Sequence, residues 1–216
     1  MSRAVFLDRD GVINQKPPEG DYITAWEDFH ILPGVAEAIT RLNRAGFAVI
    51  VVTNQRCIAK GLITAAGVEA IHKRMTDSLS CAGATIEATY YCPHEQVPAC
   101  RCRKPAPGML LEAANARGIE LATSWVIGDS SVDIEAGKKV GCMTAFIAPE
   151  HAPEGQACFD RSTLASADIS AASLLDAVHK ILSREEAVIE SGATSQRTGL
   201  ASHGKLSYPH DDSSTS

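Results

Sequence analysis

The 216-residue chain is poor in aromatic residues, at 5%, and it lacks a basic excess. Its 20 Lys and Arg stand against 26 Asp and Glu, for a formal charge of -6. That balance excludes a general nucleic-acid binder, which carries positive charge along its contact face. The few aromatics leave little on which single-stranded bases could stack. No apolar run approaches the length that crosses a bilayer, so a spanning helix is excluded as well. The N-terminus shows no charged-then-apolar leader with a small-residue cleavage site; Ala4-Val5-Phe6-Leu7 follows Met1 almost at once. A cytoplasmic protein is expected. Seven cysteines are an odd number, and in a reducing compartment they read as thiols or metal ligands rather than disulfides. No internal repeat is present.

What the chain does have is alternation. Short apolar runs at residues 4–7, 47–53, 86–91, 125–128 and 143–147 read as strands. The unbroken Ala48-Val49-Ile50-Val51-Val52 suits a strand buried on both faces, as parallel sheets require. Between these runs the apolar residues repeat at helical spacing: Val35, Ala38, Leu42 and Ala45; then Val68, Ile71, Met75 and Leu79. Pro107 opens a third helix that ends near Gly118, and Ser130 with Asp133 forms a capping pair for a fourth. Leu174, Leu175, Val178, Ile181 and Leu182 mark the last. The pattern predicts an α/β fold, a doubly wound and mostly parallel sheet with helices on both faces. After residue 182 the chain turns rich in Ser, Thr, Gly and His without a sustained period. A domain of residues 1–182 is therefore expected, followed by a disordered tail over 183–216 that begins as a frayed helix through Val188-Ile189. A monomer is expected, because no apolar surface stripe is conspicuous.

Three predicted strands end in polar chemistry: Asp8-Arg9-Asp10-Gly11, Thr53-Asn54-Gln55 and Gly128-Asp129-Ser130-Ser131-Val132-Asp133. Ligands of open α/β sheets bind at these ends. A lone Asp here starts a turn or caps a helix; Asp residues at several strand ends together repel one another unless a cation sits among them. Magnesium suits an all-oxygen site that shares ligands with a phosphate. Within Asp8-x-Asp10, one carboxylate can attack phosphorus while the other, two residues on, gives and takes the proton. Lys104 is the candidate ammonium, and Thr53 offers its hydroxyl and N–H to phosphoryl oxygens.

Asp8-Arg9-Asp10-Gly11-Val12-Ile13-Asn14, Val52-Thr53-Asn54-Gln55, Cys102-Arg103-Lys104-Pro105 and Gly128-Asp129-Ser130-x-x-Asp133 resemble, in order, the four motifs of the haloacid-dehalogenase-type phosphatases. The resemblance covers roughly residues 3–148 and points to the capless branch that acts on heptose bisphosphates and histidinol phosphate. It implies that Asp8 is nucleophile and magnesium ligand. Asp10 would be acid/base and lend its backbone carbonyl to the metal, and Asp129 would complete the ligands. Thr53 and Lys104 would steady the phosphoryl group. Asn54, Gln55, Arg56, Arg103 and Ser130 would face the substrate. Asp133 stays open between capping a helix and joining the site.

Cys92, His94, Cys100 and Cys102 place four soft or borderline ligands within eleven residues, which suits tetrahedral zinc; free thiols and a surface histidine are the alternative. The capless phosphatases carry the same cluster here, and a closed structural site is expected. Cys57, Cys81, Cys142 and Cys158 read as small buried residues, with oxidation sensitivity a minor prospect at Cys57. The segments between motifs leave no room for a large cap, so specificity must come from the loops 15–22 and 56–61 and the zinc loop. Lys16, Arg56, Lys60 and Arg103 make these loops positive, with a solvated surface charge the alternative for each and the expectation for Lys60. The resemblance favours the 7-phosphate of D-glycero-D-manno-heptose 1,7-bisphosphate as substrate, ahead of histidinol phosphate and of a nucleic-acid 3′-phosphate.

Overall fold

Two apolar runs without alternation make the centre of the sheet. In the computed structural model, which describes residues 2–97, 100–148 and 166–199, β1 (Arg3–Leu7) and β2 (Phe47–Asn54) bury nearly every side chain. They pair in parallel, Arg3 opposite Phe47 and Leu7 opposite Val51. β4 (Trp125–Gly128) flanks β1 on its other edge, with Ile127 opposite Leu7. β3 (Ala88–Cys92), β5 (Met143–Ile147) and β6 (Ile169–Ala171) complete a parallel sheet in the order β3-β2-β1-β4-β5-β6. The expected doubly wound α/β sheet is present. Its strand order reverses beside β1, so the carboxyl ends of β2, β1 and β4 stand side by side.

The helices follow the apolar stripes. α1 (Val35–Arg44) buries Val35, Ala38, Ile39 and Leu42. α2 (Ala65–Cys81) starts where the Thr64 hydroxyl accepts from the Gly67 N–H at 3.1 Å, and it buries Val68, Ile71, His72, Met75 and Leu79. α3 (Gly108–Arg117) stops at left-handed Gly118. α4 (Ser131–Lys139) begins at Ser130, whose N–H donates to the Asp133 carboxylate at 3.2 Å. Phe6, Ile50, Val52 and Val126 of the sheet meet Met109 and Leu110 of α3 in one buried cluster.

Besides one-residue shifts at β1 and β2, two elements end elsewhere than predicted and one strand was not predicted. β3 starts later than residue 86 and runs on to Cys92, because the ladder to β2 extends from Ile50–Ala88 to Asn54–Cys92. β6 is too short to show a period. The last helix, α5 (Leu174–Gly199), runs past residue 182 and past the helical extension expected through Val188-Ile189. Arg184, Glu185, Glu186 and Ala187 are strong helix formers and keep the helix going without an apolar stripe. Residues 200–216 and Cys158 lie outside the described residues. The chain divides into residues 1–181 and 182–216. Among the described residues no helix is long and apolar enough to cross a membrane.

Candidate active site

Asp8 follows β1 directly, and its N–H donates to the Ile127 carbonyl of β4 at 2.9 Å. The chain then turns at Gly11, whose φ of +92° is left-handed and whose N–H donates to the Asn14 carbonyl at 2.8 Å. A side chain at Gly11 would strike the Asp129 carboxylate, and one at Gly128 would strike Asp133. Both glycines let backbone and carboxylates crowd together. Asp8, Asp129 and Asp133 each bring an oxygen to within 4.8 Å of the others.

Two lysines answer these charges. Lys104, only 3% exposed, places Nζ 2.8 Å from Asp8 Oδ1 and 2.5 Å from Asp133 Oδ1, and donates to the Val52 carbonyl at 2.7 Å. Lys16 reaches Asp129 Oδ2 at 2.6 Å from a side chain that is 57% exposed. Burial alone would lower Lys104, but Asp133 and Asp8 hold it above its ordinary value. Asp129 is pushed up to about 7, first by burial and then by the Asp8 charge, against the pull of Lys16. Burial also raises Asp133, with Lys104 drawing it back. Three carboxylates thus face two ammonium groups. Buried Asp8 Oδ1 and Asp133 Oδ1 accept no well-aligned hydrogen bond, their contact with Lys104 being ionic. A hard oxygen-seeking cation fits this donor set, and exposed Lys16 is the group it can displace.

The Asp10 carboxylate is not part of that group and is held by other partners. Its Oδ1 accepts from Arg9 Nε at 3.1 Å, Arg9 Nη2 at 3.0 Å and Asn14 Nδ2 at 2.9 Å. Its Oδ2 accepts from Arg9 Nη2 at 3.0 Å and Gln55 Nε2 at 3.2 Å. Arg9 is wholly buried and also bonds His72 Nε2 at 3.1 Å. Sequence reasoning missed both. Arg9 between two aspartates reads as a surface charge. His72 carried a signal, since it falls within the buried stripe of α2, where a polar residue needs a partner.

Several residues expected to face the substrate make internal bonds. Asn54 clasps the Lys104 backbone, donating to its carbonyl and accepting from its N–H, both at 3.1 Å. Gln55 spends its amide on Asp10 and on Thr53 Oγ1, the latter at 2.9 Å. The Ser130 hydroxyl donates to Asp133 Oδ2 at 2.8 Å, so Ser130 caps α4. Arg56 pairs with Glu95 at 2.6 Å, and Arg103 Nη1 donates to the His94 carbonyl at 3.3 Å. The physical reason is common to all of them: polar groups crowded at strand ends satisfy one another before they face solvent. A cavity of about 270 Å³ opens beside Asp10, lined by Lys16, Tyr22, Asn54 and Gln55. Asp133, left open above, both caps α4 and pairs with Lys104.

The four soft ligands do meet. Cys92 Sγ lies 3.5 Å from His94 Nδ1, 3.5 Å from Cys100 Sγ and 3.3 Å from Cys102 Sγ. Cys102 Sγ is 3.2 Å from His94 Nδ1 and 3.4 Å from Cys100 Sγ. A tetrahedral ion with bonds of about 2.0–2.3 Å spaces its ligands at about 3.3–3.8 Å, so a donor set at 3.2–3.5 Å is compatible with zinc. Burial would raise Cys100, but the Arg103 N–H at 3.3 Å and the neighbouring thiols bring it down to about 6. Burial pushes Cys92 up to about 12. Cys57 and Cys142 are buried, as expected, whereas Cys81 at the end of α2 is exposed. Burial raises the Cys57 thiol above its ordinary value, which disfavours the thiolate that oxidation requires.

With this geometry in hand, comparison with known proteins is direct. The family model described as haloacid dehalogenase-like hydrolase matches residues 3–141. A D-glycero-beta-D-manno-heptose-1,7-bisphosphate 7-phosphatase of Pseudomonas aeruginosa is 38% identical over 74% of this chain and 94% of its own. Its counterpart in Rhodopseudomonas palustris is 41% identical over 64% and 79%. The crystal structure of a D,D-heptose 1,7-bisphosphate phosphatase from B. bronchiseptica, complexed with magnesium and phosphate, superposes with a TM-score of 0.72 at 32% identity. It covers 84% of this chain and 99% of that one. The matched span contains the residues that build the carboxylate site, and the chain belongs to the haloacid dehalogenase-like hydrolases.

Proposed function

We propose that this hydrolase is a magnesium-dependent phosphatase that removes the 7-phosphate of D-glycero-β-D-manno-heptose 1,7-bisphosphate. The observation that carries the reading is Asp8 itself: a carboxylate at a strand end, 2.8 Å from a buried ammonium, with Asp129 alongside. Asp8 attacks phosphorus, the bond from phosphorus to the sugar oxygen breaks, and the departing oxygen takes a proton from Asp10. Water then attacks the aspartyl phosphate, Asp10 takes its proton, and phosphate leaves with Asp8 restored. Lys104 and Thr53 hold the phosphoryl oxygens through both steps. Magnesium, held by Asp8, Asp129 and the Asp10 carbonyl, would neutralise charge on the transferring group.

The sugar assignment is supported by the names of the relatives and by Lys16 and Arg103 at the rim, where a second phosphate needs cations. Zinc held by Cys92, His94, Cys100 and Cys102 is structural in this reading, since four protein ligands leave no position for water. It steadies the loop that delivers Arg103 and Lys104. The chain acts as a monomer in the cytoplasm; the exposed large apolar residues among those described are Leu62, Val97 and Leu111, far apart in sequence. Histidinol phosphate is the second reading, favoured by the short loop between His94 and Cys100. Phosphate release from both heptose bisphosphate anomers and histidinol phosphate, measured side by side with magnesium, tests the assignment. The β anomer is expected to give the highest kcat/KM; a higher value for histidinol phosphate overturns the sugar assignment.

A further inference from the structure

We propose that His72 is a positioning residue for the Asp10 carboxylate and acts through Arg9. The inference rests on the reading of Asp10 as acid and base, and it begins with burial. Arg9 is wholly buried, so its guanidinium depends on partners for every bond it makes. Nε and Nη2 face Asp10, while Nη1 faces the other way, 3.1 Å from His72 Nε2. An arginine can only donate. Nε2 must therefore carry a lone pair, which makes the His72 ring neutral with its proton on Nδ1. A protonated ring would set two cations against each other inside the protein. Burial first, and the Arg9 charge second, accordingly push His72 down to about 3.

The ring is itself held. His72 is 5% exposed on α2 and meets Tyr91 of β3 edge-on, with centroids 5.7 Å apart. A rigid helix thus fixes His72, His72 fixes one end of the guanidinium, and the other end fixes Asp10. Asn14 and Gln55 complete the grip on Asp10, whose side chain remains 23% exposed toward the cavity. A group that moves a proton must lie within hydrogen-bond reach of the oxygen it serves, so its orientation enters the rate. Without an acceptor at residue 72, Nη1 becomes a buried donor with no partner. The guanidinium then turns to find one, and Asp10 turns with it.

The test uses the full chain loaded with zinc and magnesium, comparing wild type with His72→Phe and His72→Gln. Thermal unfolding first establishes that each variant is folded. On heptose bisphosphate, His72→Phe is expected to lower kcat about tenfold or more while KM stays within about twofold. The release burst from 4-nitrophenyl phosphate, whose leaving group needs little protonation, should fall much less. His72→Gln presents an acceptor oxygen and should recover much of the loss. Wild-type kcat in folded His72→Phe overturns the proposal. So does an equal loss on both substrates without rescue by glutamine, which would mark a merely structural residue. A measurement independent of variant folding is ring ¹⁵N NMR of the wild type at neutral pH, where Nε2 is expected to be unprotonated; a protonated Nε2 overturns the proposal. Should the wild type release phosphate from neither ester, the acid/base reading falls first and this inference with it.

Discussion

The oxygen donors at the strand ends and the sulfur donors of residues 92–102 are held in place by different means. Asp8 and Asp129 extend from β1 and β4, two paired strands whose register sets their separation before any ion arrives. Lys104 and Lys16 then neutralise part of the charge that brings them together. The thiol cluster has one anchor in the sheet, buried Cys92 at the end of β3, while His94, Cys100 and Cys102 come from a short loop without a core of its own. The first site is preformed by the fold and adjusted by charge. In the proposed reading the second relies on a zinc ion to hold the loop, so metal binding there would be folding energy.

This contrast can be broken in four ways, taken from the largest effect down. Asp8→Asn keeps the shape of the carboxylate site but removes its nucleophile. Phosphate release should fall about a thousandfold or more, with zinc content by metal analysis unchanged. Residual turnover near the wild-type rate would move the nucleophile elsewhere. Zinc removal by a chelator, or Cys102→Ser, should instead lower Tm by several degrees, at about 2–4 °C per kcal/mol for a chain of this size. Calorimetry on the protein still folded should show magnesium affinity largely kept; an unchanged Tm would deny the cluster its structural role.

The third concerns pH. His72 has a folded-state value near 3, below its ordinary 6.5, so the unfolded chain binds a proton that the folded one refuses. Its contribution is therefore complete above pH 6.5 and is lost as pH falls toward 3. Between pH 6.5 and 5 the loss is about 2 kcal/mol. Denaturant unfolding of His72→Phe over that range should be flatter than wild type by this amount, whatever acid does to the zinc ligands in both. The smallest effect is expected at Lys16. Lys16→Ala removes a competitor at Asp129 and should tighten magnesium binding by about threefold, a modest factor because the ammonium is largely solvated. A weakened affinity would mean that Lys16 helps the ion rather than opposing it.

How far the sequence could be read depended on the range of the interaction. The strand runs, the helix stripes and the Asp8, Thr53, Lys104 and Asp129 motifs were legible because each is a local pattern with a period or a spacing. The Cys/His ligands were legible for the same reason. The internal bonds of Asn54, Gln55 and Ser130 were not legible, because a motif shows that a polar residue stands at a strand end, not which way its amide or hydroxyl turns. The helical extension was expected only through Val188-Ile189; its continuation to Gly199 was not legible because it follows no apolar stripe.

By itself the sequence determined the sheet, the order of its motifs and the chemical type of both donor sets, since these follow from residue identity and near-neighbour spacing. Only the tertiary structure decided that Lys104 lies between Asp8 and Asp133, that Lys16 covers Asp129, and that His72 reaches Asp10 through Arg9. Those contacts join residues tens of positions apart. Burial made the partners of Lys104 and Arg9 obligatory, and burial of a charge is a property of the packed chain rather than of any segment in it.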